Sequence, residues 1–190
     1  ALGLAVAACG AQDRPPEMVP PRFGPAPLYR PDALSRTVER ARPLGAMSCS
    51  SAPKDWVGVH LEVFVNRFDV VIPAGIGMAP PHAVDGAYIT GARCSYPIRT
   101  TDPTGMIEVD ARFARHATLG DFFAAWGQPL SPTRLLGFRA RGSDRVVVYS
   151  NGRRWQGDPR DVPLTRHAAL LMHLGGYVAP RLEYGFPPDL

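Results

Sequence analysis

The residues best suited to chemistry in this chain are a histidine and a set of carboxylates carried at strand spacing. His60 and Glu62 stand two apart in one alternating run, Glu108 and Asp110 do the same in a later run, and Asp102 lies in the turn leading to it. In a β-strand residues i and i+2 point to one side. Each pair therefore shares a face, and two such strands close together in one sheet would gather an imidazole and several carboxylates. These ligand types suit zinc or copper, so His60, Asp102 and Glu108 are the candidate ligands of a divalent cation, the one cofactor the chain would take. The alternative is a solvated sheet face of alternating polar residues.

Signatures of catalysis are missing. The sequence holds no G-x-S-x-G, no H-E-x-x-H, no P-loop and no Cys-x-x-Cys, and Gly75-Ile76-Gly77 runs on into prolines instead of completing a dinucleotide fingerprint. The five histidines (His60, His82, His116, His167 and His173) are dispersed, with no two at helical ligand spacing. No residue is assigned a catalytic role, and a non-enzymatic protein is expected.

The three cysteines divide as one plus two. Cys9 follows a short run of small and apolar residues, too short for the roughly 20 residues that a membrane-spanning helix needs. The stretch Val6-Ala7-Ala8-Cys9-Gly10 resembles the lipobox of bacterial lipoproteins, in which the cysteine is acylated and becomes the mature N-terminus. That resemblance implies an anchor in membrane lipid at the extracytoplasmic face of a bacterial membrane. In such an oxidising compartment Cys49 and Cys94 are expected to form a disulfide. A two-thiolate metal site is the competing reading, but it lacks the usual partner spacing.

Twenty of the 21 basic residues are arginine, Lys54 being the exception, and the net charge of +4 is small and scattered. That balance does not indicate nucleic acid. Arg134, Arg139, Arg141, Arg145, Arg153 and Arg154 are a candidate contact surface for an acidic partner or anionic lipid, or else ordinary solvated charge on loops and a hairpin.

The elements that must position these residues follow from the pattern. With 190 residues, 45% of them hydrophobic, the chain has material for one core, while 21 prolines and 19 glycines exclude a helical bundle. Residues 1–9 read as a signal-peptide remnant with the lipobox. Residues 10–47 read as a linker or stalk, with seven prolines between positions 10 and 31 giving it an extended, polyproline-like start. The globular part spans 48–190.

Residues 33–41 suggest a short helix. Residues 59–65 alternate as a strand and turn through Asn66-Arg67 into 68–72, forming a hairpin. Residues 73–92 are Gly/Pro-rich and read as a long loop, with a little strand at Tyr88-Ile89. Asp102-Pro103-Thr104-Gly105 fits a type I turn before a strand at 106–111. Thr118 caps a helix with Leu119, Phe122, Phe123 and Trp126 on one face, and Gly127 ends it. A hairpin turns at Asn151-Gly152, and 168–174 alternates as a final strand. Strands on either side of one packed helix indicate α+β, a single mixed sheet with the helix on one face. The arrangement resembles the β-grasp, or ubiquitin-like, fold.

From about Cys49 to Trp126, continuing to Pro188, the chain also resembles a family of mostly uncharacterised secreted or lipid-anchored prokaryotic domains. Their pattern is a His-rich first strand, a "PA-x-IG" loop, a His-Thr-His-Asp-x-(Thr/Ser)-Gly segment ending in a histidine, then "TLG-x-FF-x-x-WG". Here it reads His60-Leu61-Glu62-Val63-Phe64-Val65, then Pro73-Ala74-Gly75-Ile76-Gly77, then 98–108 with Asp102 and Gly105, then Thr118-Leu119-Gly120 with Phe122-Phe123 and Trp126-Gly127. The His-rich members look like metal binders. This chain departs at the ligand positions: Arg99 and Thr101 stand where the pattern has His, and Glu108 replaces the closing His. A guanidinium at Arg99 would repel a cation and would pair with Glu108 or Asp102 instead. The expected function is therefore a lipid-anchored, non-catalytic domain that binds a protein partner as an accessory subunit of an integral membrane complex. The alternative is a divalent-metal binder.

Overall fold

The computed structural model describes residue 38, residues 40–52 and residues 54–190. Cys9 and residues 10–31 lie outside the described residues, as does most of the helix expected at 33–41.

The chain forms an α+β fold around a mixed seven-stranded sheet. Strand β1 (Trp56–Val65) turns through Asn66 and Arg67 into the two-residue β2 (Phe68–Asp69). Both turn residues have positive φ, 52° and 71°, as a two-residue type I′ hairpin loop requires. β1 lies in the middle of the sheet, antiparallel to β6 (Met106–Asp110) on one side and parallel to β12 (Ala169–Leu174) on the other. β10 (Val147–Ser150) pairs with β12, β11 (Arg153–Arg154) closes that edge, and β5 (Ile98–Arg99) closes the other. The β10–β11 turn is Asn151-Gly152, again with positive φ at both residues.

The register divides the residues between two faces. Val57, Val59, Leu61, Val63 and Val65 point to one side with Ile107, Val109, Leu170 and Met172, and all of them are buried. Helix α1 (Leu119–Trp126) covers this side. Thr118 accepts the Asp121 amide N–H and the Asp121 carboxylate accepts that of Thr118, a capping box that satisfies two otherwise orphan donors. Gly127, at φ 72°, ends the helix in the left-handed conformation. Phe122, Phe123 and Trp126 pack with ring centroids 5.5–5.8 Å apart. Burying a large apolar side chain of this kind contributes roughly 1.5–3 kcal/mol. Among the described residues, no helix is long and apolar enough to cross a membrane.

Four features differ from expectation. Residues 73–92 are no loop: β3 (Met78–Asp85) and β4 (Tyr88–Ser95) form a separate two-stranded ribbon. Gly86, at φ 57°, opens its two-residue turn, the position at which a type II′ turn wants glycine. Pro80 and Pro81 cannot donate to a ladder, and the register shifts across them between Ala79 and His82. Second, three two-residue strands, β7 (Leu130–Ser131), β8 (Arg134–Leu135) and β9 (Phe138–Arg139), make a small sheet of their own.

Third, β12 does not alternate between buried and exposed. All six of its residues are buried, because the sheet's other face is covered as well. Residues 177–190 cross it, with Tyr184 on His60 and with Phe186 and Leu190 against Gly58. Fourth, Val38, Leu44 and Met47 pack into the core, so the packed unit reaches ahead of Ser48. Cys49 and Cys94 are disulfide-bonded, with their Cα atoms 5.5 Å apart.

Candidate functional site

β1 and β6 place the candidate ligands as their spacing demands. Gly58 lies opposite Glu108 and His60 opposite Met106, so His60, Glu62, Glu108 and Asp110 share the face opposite α1. The expectation of a solvated face does not hold for the first and third of these. His60 is 6% exposed and Glu108 is 8% exposed.

Glu108 is bonded by both Arg99 and Thr101. Arg99 is the cross-strand neighbour of Glu108. Its Nε and Nη2 donate to Glu108 Oε2 at 2.7 and 2.6 Å, and Thr101 Oγ1 donates to Oε1 at 2.8 Å. The Arg99 guanidinium also lies 3.9 Å from the centre of the Trp56 ring, a cation–π distance. Both oxygens of the carboxylate are thus engaged, one by β5 and one by the segment that follows it.

His60 sits elsewhere on the face. Its Nε2 is 3.1 Å from the Thr104 carbonyl oxygen, and its ring stacks on Tyr184 at 3.7 Å and 9°. Glu62 pairs with Arg181 at 2.9 Å. Asp102 holds its own turn, accepting the Thr104 amide at 2.8 Å and the Thr104 hydroxyl. Gly105, at φ 85°, brings this turn against β1, where a Cβ would meet the Leu61 carbonyl oxygen at 2.4 Å. His60, Asp102 and Glu108 are thus each hydrogen-bonded to groups other than one another. Among the described residues no group of three or more His, Cys, Asp or Glu side chains is placed to hold a metal.

Burial, opposed by the Thr104 carbonyl and Asp102 and aided by Arg181, brings the His60 imidazole down to about 4. The ordinary value is about 6.5. Above pH 6.5 the ring is neutral in the folded and the unfolded chain alike. As pH falls from 6.5 to about 4 the unfolded chain takes up the proton first, so stability is lost across that window and the loss levels off below it. The full effect is on the order of 3 kcal/mol. Burial raises the Glu62 and Asp69 carboxyls, which act in the opposite sense in acid. The measurement is therefore the difference between wild type and His60→Gln in urea unfolding at pH 7.0 and 4.5. The variant is expected to lose about 2–3 kcal/mol less on acidification.

The six arginines do not share one face. Arg134 and Arg139 are cross-strand partners in the small sheet. Arg153 and Arg154 are exposed on the edge strand β11 and, being consecutive, point to opposite sides of it. Arg141 and Arg145 are exposed in the segment between, with Arg145 Nη1 donating to the Asp144 carbonyl at 2.7 Å. No described histidine hydrogen-bonds a serine, threonine or cysteine side chain; their partners are the carbonyls of Thr104, Met78, Leu190 and Gly175 and the guanidinium of Arg166.

Sequence reasoning passed over one cavity. A space of about 330 Å³ opens at the base of the ribbon beside Lys54, Trp56, Cys94 and Arg99. The signal available was Lys54 itself, the single lysine among 21 basic residues. Compared with protein-family models, with curated proteins and with solved structures, the chain matches none of them.

Proposed function

We propose that this chain is a lipid-anchored, extracytoplasmic, non-catalytic domain that binds a protein partner, an accessory subunit of an integral membrane complex. The Cys9 lipobox supplies the anchor and the proline-rich residues the reach. We also read the fold as β-grasp-like. A central parallel pair, β1 and β12, is flanked by antiparallel β6 and β10, and one helix covers one face. On that reading the ribbon is an insertion between the first two strands of the grasp.

The observation that carries the partner reading is the ribbon. Residues 81–88 are exposed on both strands, with Val84 at 69% and Tyr88 at 55%. A two-stranded ribbon is marginal on its own in water, and this one is held at its base by Cys94, Ser95 and the Ser50–Ser95 bridge. Exposed apolar and aromatic side chains on a rigidly rooted arm are the composition of an interface anchor.

The test is affinity purification of the full chain from detergent-solubilised membranes, beside the double variant Val84→Asp/Tyr88→Ala. A stoichiometric membrane protein is expected with wild type, reduced at least tenfold with the variant. Recovery of the wild-type chain alone would overturn the reading. Equal recovery of the partner by the variant would move the contact off the ribbon.

A further inference from the structure

The cavity at the root of the ribbon has a lysine and an arginine on its wall. Lys54 Nζ donates to two backbone carbonyls, those of Ser50 and Ser95, each at 3.1 Å, and among the described residues it hydrogen-bonds no carboxylate. An ammonium has three protons, which leaves one for the cavity. Lys54 lies 5.7 Å from the centre of the Trp56 ring, and Arg99 lies 3.9 Å from the same centre. The two cations therefore border one ring and one space. Arg99 spends Nε and Nη2 on Glu108, and its Nη1 has no part in that pair.

The electrostatics agree with the geometry. Burial lowers the Lys54 ammonium from its usual range and Arg99 adds to this, while Asp110 opposes it. Asp110 also accepts the Arg112 amide N–H at 2.9 Å. The volume of about 330 Å³ lies within the range of about 300–1,000 Å³ that holds small molecules. The aromatic wall favours a flat apolar body.

We infer that this cavity binds a small organic carboxylate, its two oxygens shared between the Lys54 ammonium and the Arg99 guanidinium and its apolar body set against Trp56. The site is separate from the ribbon tip and does not depend on the partner reading.

The chain's single lysine makes the test specific, because lysine labelled with carbon-13 marks this side chain alone. The full-length protein is titrated at constant ionic strength with benzoate, acetate and inorganic phosphate, read on the Lys54 ε-carbon and on the indole N–H of Trp56. A saturable shift with benzoate, several-fold tighter than with acetate, is expected. Lys54→Gln, read on Trp56, is expected to weaken benzoate binding at least tenfold, and Trp56→Leu, read on Lys54, to bring benzoate down to acetate. A non-saturable response, or benzoate binding unchanged in Lys54→Gln, would overturn the site. Phosphate binding tighter than benzoate would overturn the assignment to a carboxylate.

Discussion

Replacing Arg99 with alanine is expected to destabilise the fold by about 3–5 kcal/mol, because it strands a buried carboxylate. The Glu108 side chain is only 10% exposed and the Arg99 side chain 22%, so solvent screens little of the pair. Removing the guanidinium leaves Oε2 with neither of its donors and Thr101 as the remaining partner, through Oε1. It also takes away the contact with Trp56, worth about 0.5–1 kcal/mol at an exposed site. The loss comes from the unpaired charge and is not the net worth of the pair. Glu108→Gln in the Arg99→Ala background should therefore recover a substantial part of it. Urea midpoints of wild type, both single variants and the double variant measure this. An Arg99→Ala protein within 1 kcal/mol of wild type would mean that Glu108 is not held as described.

Breaking the disulfide is expected to cost about 4 kcal/mol in the chain-entropy model for a loop of this length, Cys49 and Cys94 being 45 residues apart. The two cysteines tie the segment before β1 to the end of β4, beside the Ser50–Ser95 bridge. The double variant Cys49→Ser/Cys94→Ser should therefore lose more than global stability. The ribbon should become the first segment cleaved by a protease, while α1 and β12 stay protected until the whole domain unfolds. Denaturation curves with and without reductant and limited proteolysis separate the two effects. Unchanged midpoints on reduction would contradict the first, and cleavage that begins outside the ribbon the second.

Elements defined by local chemistry were legible in the sequence. The helix announced itself through Thr118, Asp121 and Gly127, whose capping roles depend on residues three to nine positions apart. Asn151-Gly152 and Asn66-Arg67 carry the positive φ values that their turns need. β1 alternates because a single side chain per pleat meets α1. The ribbon was hidden because it has no core to face. β3 is exposed from Pro81 onward and β4 is half-buried or exposed up to Cys94, so no apolar face of period two is imposed, and Pro80-Pro81 counts against a strand.

The candidate site was half legible for a similar reason. The shared face of His60 and Glu108 follows from strand spacing alone. What covers that face does not, since residues 177–190 carry no regular element and touch β1 across more than a hundred positions. The pairing of Arg99 with Glu108 was one of two options until the strands were in register. Cross-strand placement of those two residues selects Glu108, while Asp102 is kept by its own turn. A polar set that reads as ligands in sequence thus serves in the fold as an ion pair and a stacked, neutral histidine.

Native mass spectrometry of the full chain, extracted from its own membranes in detergent, tests whether it is a tethered domain held to a membrane partner. It should carry an acyl mass on Cys9, lack the two hydrogens of the Cys49–Cys94 thiols, and arrive with one stoichiometric membrane subunit. An unacylated chain travelling alone would contradict the claim.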